Sequence, residues 1–139
     1  MWLPMILSYL ARAYMDTGQF GDAVRAIDEA VAAVEITKET WCKAEVHRVA
    51  GEIALRSPEP DGAGAQRHFE TALAVARMQQ AKSFELRTAM SLARLWRDRG
   101  ERDQARDLVA PVYGWFTEGH DTLDLQEAKA LLDELELRR

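Results

Sequence analysis

The chain has 139 residues, 47% of them hydrophobic and 29% charged, with a formal net charge of −5. That length can bury a core, the composition is ordinary for a globular protein, and the acidic balance argues against broad nucleic-acid binding, which rests on neutralising phosphates. A single cysteine, Cys42, excludes an internal disulfide and fits a reducing compartment, so a cytoplasmic location is expected.

The opening run, Met1-Trp2-Leu3-Pro4-Met5-Ile6-Leu7, is apolar but soon meets Arg12 and Asp16. Neither a secretory leader nor a membrane span is expected there. Apolar residues then recur at spacings of three and four, the period of a helix rather than a strand. A first helix begins near Pro4, carries Ile6, Leu7, Leu10, Ala11 and Tyr14 on one face, and ends at Gly18. A second spans 20–37 with Ala23, Ile27, Ala30, Val31 and Val34. A third spans 38–56 with Trp41, Val46, Ala50, Gly51 and Ala54 inward. Pro58, Pro60, Gly62 and Gly64 then mark a loop over 57–64.

A fourth helix, 64–79, carries Phe69, Ala72, Leu73 and Ala76. A fifth, 82–99, carries Leu86, Ala89, Leu92, Ala93 and Trp96 and stops at Gly100. The sixth begins near Arg102. Pro111 lies inside it and removes a backbone donor, so a kink or an early end is expected there. A loop at 117–121 leads to a last helix over 123–137, and Trp115 and Phe116 are expected to pack under that helix. Asp124 and Glu127 have the spacing of a capping box.

The helices repeat. Ala11, Gly51 and Ala93 are small residues on the first helix of successive pairs, separated by 40 and then 42 residues. Three positions on stand Tyr14, Ala54 and Trp96. Gly18 and Gly100 follow in the first and third units. The second helices carry Ala23, Ala65 and Ala105, then Ile27, Phe69 and Val109, then Ala30, Ala72 and Val112. Small residues let paired helices approach closely, and the large one fills the space beside them.

This pattern resembles the tetratricopeptide repeat (TPR) over roughly residues 4–115. The resemblance implies an all-α, right-handed superhelix of about three helical hairpins, with units at about 4–37, 38–79 and 82–116, plus a C-terminal capping helix at 123–137. The period exceeds the usual 34 or so, and the second unit lacks both the turn glycine and the aromatic. A narrower likeness runs through Glu85-Leu86-Arg87-Thr88-Ala89-Met90-Ser91-Leu92-Ala93-Arg94-Leu95-Trp96, Leu108-Val109-Ala110-Pro111-Val112-Tyr113 and Trp115-Phe116-Thr117-Glu118-Gly119. It is similar to the C-terminal repeat tail of large bacterial regulators that carry a nucleotide-cyclase or ATPase domain elsewhere.

Nothing in the sequence points to catalysis. No phosphate-cradling glycine loop is present, and His47, His68 and His120 lack metal-ligand spacing. No cofactor, metal site, membrane contact or nucleic-acid partner is expected, and the chain reads as a non-enzymatic protein-interaction module. An alternative reading is a purely structural or oligomerisation role.

The family resemblance implies that the first helices of the pairs line a concave groove. It would present Met5, Ser8, Tyr9, Arg12, Met15 and Asp16 from the first unit. From the second come Glu45, Arg48, Val49, Glu52, Leu55 and Arg56, and from the third Arg87, Met90, Ser91, Arg94, Arg97 and Asp98. Six arginines against four acids give a local balance of +2, suited to an acidic peptide or protein segment. Tyr9, Arg12, Arg48, Glu52, Arg87, Met90, Arg94 and Arg97 are the expected contact residues. Trp2, Leu3, Ile6 and Leu10 are expected to bury against a second copy, because the end of a repeat stack exposes the apolar side that a preceding repeat would cover.

Overall fold

The computed structural model describes residues 3–38 and 40–137, and every regular element among them is helical. The elements are α1 (Leu3–Asp16), α2 (Phe20–Thr37), α3 (Lys43–Arg56), α4 (Gly62–Met78), α5 (Lys82–Asp98), α6 (Arg102–Trp115) and α7 (Leu123–Leu137), with a short 3-10 turn at Thr40–Cys42. Three antiparallel hairpins, α1/α2, α3/α4 and α5/α6, stack in order. α1 packs on α3, α3 on α5, and α5 on α7.

The repeat positions are where the core lies. Ala23, Ala65 and Ala105 are fully buried, and so are Ala11 and Ala93. Ile27, Phe69 and Val109 sit beside them with at most 4% of their surface exposed. Gly18 and Gly100 both take positive φ, a conformation that costs glycine nothing. Each closes its helix in the same way. The amide after the glycine reaches back to a residue five earlier, Gln19 to Tyr14 and Glu101 to Trp96, both at 2.8 Å. Tyr14 and Trp96, which share one repeat position in the sequence, therefore also share one backbone role.

Several element ends differ from the sequence expectation. The third helix starts at Lys43, not 38, because Lys38 turns left-handed to end α2 and Thr40–Cys42 forms a separate turn. α4 starts at Gly62, inside the expected loop, since the Asp61 carboxylate accepts a hydrogen bond from the Gly64 amide at 2.9 Å and caps it. α6 does not end at Pro111. It continues to Trp115, and Pro111 lies on the exposed face, where water can satisfy the carbonyl that loses its partner.

Asp124 is not an N-cap. It stands inside the first turn of α7, and its carboxylate binds Arg87 instead. Phe116 packs against the third hairpin and α7, but Trp115 does not; it is 57% exposed, edge-on to Phe116 with Lys82 Nζ 5.6 Å from its ring. On α1 the inward face is Met5, Ser8, Ala11 and Met15, whereas Ile6 and Leu10, which the periodicity groups with Ala11 on one face, are 57% and 41% exposed.

Candidate interaction groove

Four helices line one continuous depression of about 390 Å³. α1 supplies Tyr9, Arg12 and Met15. α3 supplies Glu45, Arg48, Val49, Glu52, Ile53 and Arg56, and α5 supplies Arg87, Met90 and Arg94. α7 adds Leu123, Asp124 and Glu127. Seven of the eight residues expected to contact a ligand lie in this one groove. Arg97 does not line it; its guanidinium turns to Glu134 and Asp98, both at 3.1 Å. Met5 and Ser8 are also absent from the lining. Both are buried, and the Ser8 hydroxyl donates to the Met5 carbonyl at 2.7 Å.

The contribution of α7 was not expected. As a helix following a completed hairpin it takes the place of a fourth first-helix, so its leading turn enters the groove. Its two carboxylates change the charge. Among the lining residues, five arginines face four carboxylates, an excess of +1 rather than +2.

These charges are not equivalent. Glu45 is 5% exposed and binds two guanidiniums, Arg48 on its own helix and Arg87 of α5 at 3.1 Å. Burial alone would raise its pKa. The hydrogen bonds and positive charges of Arg48 and Arg87 outweigh that effect and hold the carboxyl below its ordinary value. Arg87 also donates to Asp124 at 2.7 Å. Its guanidinium pKa moves up, because Asp124 and Glu45 together overcome the opposing effect of burial. The chain Arg48–Glu45–Arg87–Asp124 thus crosses α3, α5 and α7 and ties them together.

The other groove arginines are held more loosely. Arg56 reaches Asp16 at 2.9 Å, and Arg94 lies 3.6 Å from Glu127, with each of these four side chains well exposed. Such pairs contribute little to stability. Arg12 has no ion-pair partner among the described residues, and Tyr9, one turn away, is 61% exposed.

A second polar contact lies outside the groove. His47 of α3 and His68 of α4 meet with their Nδ1 atoms 3.2 Å apart. Twenty-one residues separate them, so no local spacing announces the pair. Burial lowers the pKa of both rings. For His47 the neighbouring His68 and Lys43 add to the effect and bring it to about 4; for His68 it is Arg67 that adds. Both rings are therefore neutral at pH 7, and one can donate Nδ1–H to the other. No group of three or more His, Cys, Asp or Glu side chains suited to a metal occurs among the described residues. No helix among them is long and apolar enough to cross a membrane.

No curated protein and no solved structure matches the chain. Residues 5–37 match the family model described as tetratricopeptide repeat. The matched stretch is the α1/α2 hairpin, and the array that it begins is an all-α, TPR-like helical repeat.

Proposed function

We propose that this array is a non-enzymatic protein-interaction module, with a regulatory or scaffolding role, that holds a segment of another polypeptide in the groove of α1, α3, α5 and α7. TPR arrays generally bind proteins or peptides, and the tail-like likeness in the third unit supports a place in a larger regulatory assembly. The observation that carries the reading is Arg12, a groove cation that no described carboxylate neutralises, beside the exposed ring of Tyr9. Met15, Val49, Ile53 and Met90 supply an apolar floor between the charges. An acidic segment with apolar residues matches both features.

Arg48 and Arg87 are engaged with Glu45, so reversing them would disturb the fold as well as the groove. Arg12 and Arg94 are the informative pair. Affinity capture with the unmodified chain and with Arg12→Glu/Arg94→Glu, both checked for unchanged helicity, is expected to show the partner weakened at least about tenfold on the variant. A partner retained equally by both chains would reject the groove.

A second reading is self-association through the outer face of α1, where Leu3, Ile6 and Leu10 are 51%, 57% and 41% exposed. Trp2 lies outside the described residues. Three large apolar side chains on one helical stripe are an unusual cost to leave in water. Sedimentation is expected to show a concentration-dependent dimer that Ile6→Glu abolishes, and a monomer at all concentrations would end this reading.

A further inference from the structure

The other side of α3 carries a second cleft, of opposite sign. α2 and α4 make no substantial packing contact with each other, and the gap between them is a depression of about 450 Å³. Its floor is α3, through Ala50, Ile53 and Ala54. Its long wall is one stripe of α2, on which Phe20, Val24 and Val31 remain only half-buried. From Phe20 to Glu35 that stripe rises about 22 Å, long for a small molecule and suited to a length of chain.

The charges along it are one-sided. Asp28, Glu35 and Asp61 line the cleft, and no lysine or arginine does. Glu35 is answered by Lys43 at 3.1 Å, and Asp61 faces the start of α4, where it accepts from Gly64. Asp28, midway along α2, has no ion-pair partner among the described residues. His68, the one imidazole in the lining, adds no positive charge at neutral pH because burial disfavours its protonation.

We infer that the α2/α4 cleft is a second docking surface, which takes a basic amphipathic segment of another protein, its apolar residues on Phe20, Val24 and Val31 and a lysine or arginine on Asp28. Apolar contact along a helical stripe with a flanking charge is how an amphipathic segment seats in a groove. The inference does not depend on the groove of α1, α3, α5 and α7. Together the two surfaces would let one short array hold two partners of opposite charge on either side of α3.

The test uses a fluorescein-labelled 14-residue peptide with leucines on one helical face and lysines beside them, and a twin with glutamate for every lysine. Both are titrated at about 0.15 M salt, where long-range attraction to the acidic chain is largely screened. The lysine peptide is expected to bind, the glutamate twin to bind at least about tenfold more weakly, and amide shifts to concentrate on Phe20, Val24, Val31 and His68. Asp28→Lys should weaken the lysine peptide about tenfold. Asp103→Lys, the same charge change on exposed α6, should alter it less than about twofold. Equal weakening by both substitutions would mean bulk charge alone and would overturn the inference. So would shifts confined to the Arg12 groove, or no binding of the lysine peptide.

Discussion

Gly51→Ala is expected to destabilise the protein by about 1–3 kcal/mol, although alanine is the better helix former by roughly 1 kcal/mol. Gly51 lies in the middle of α3, and a Cβ there would meet the Phe69 ring at 2.5 Å from Cε1, 2.7 Å from Cδ1 and 2.9 Å from Cζ. Phe69 is fully buried between the second and third units, packed with Ala65, Leu73, Leu92 and Leu95. The ring has no solvent-facing direction in which to retreat, so either it leaves its rotamer or α3 and α4 move apart. Urea or thermal unfolding measures the loss, about 3–5 °C in midpoint per kcal/mol for a chain of this size. The diagnostic result is the coupling. In a Phe69→Leu background the same Gly51→Ala change should become neutral or stabilising, because the smaller side chain leaves room for the methyl. If the two substitutions are additive, the close approach is not what Gly51 is for.

Glu45→Ala should cost about 3 kcal/mol. It leaves the Arg48 guanidinium, 9% exposed, with only Glu52 at 4.0 Å, while Arg87 keeps Asp124. The penalty is that of an uncompensated buried charge, not of a lost surface bridge. Glu45→Leu combined with Arg48→Met should recover most of the stability, since two apolar side chains fill the same space without a charge to solvate. The pH dependence comes from the depressed pKa of Glu45. The unfolded carboxyl, near 4.5, binds protons before the folded one does. The contribution is therefore complete above about pH 4.5 and is lost as the pH falls through the lower folded value. Acid unfolding of Glu45→Gln compared with the unmodified chain measures it; identical acid profiles would show that the Arg48–Glu45–Arg87 chain does not hold the helices together.

Both expectations bear on the groove. Its arginines divide into those that build the array and those available to a ligand, and residue type alone does not separate them. Arg12 and Arg48 both line the groove from the first helices of their units, yet Arg48 is buried against a carboxylate and Arg12 is not. Arg97 shared the spacing of a groove residue with Arg94. The few tens of degrees of rotation that separate neighbouring helix faces carry it to Glu134 instead.

The sequence by itself determined the helices, their pairing and the positions at which they touch. Ala11, Gly51 and Ala93, with Ala23, Ala65 and Ala105, recur at helical spacing, and burying that stripe drives the fold. These are local properties, readable because a helix's face depends only on residues three and four apart. Tertiary structure alone decided three things. It brought the leading turn of α7, with Asp124 and Glu127, into the groove. It joined His47 to His68, and it left α2 and α4 apart over an acidic cleft. Each depends on distances between helices far apart in the chain. Those distances are set by how the large side chains of one helix fit the small residues of the helix packed against it, as Phe69 of α4 does against Gly51 of α3.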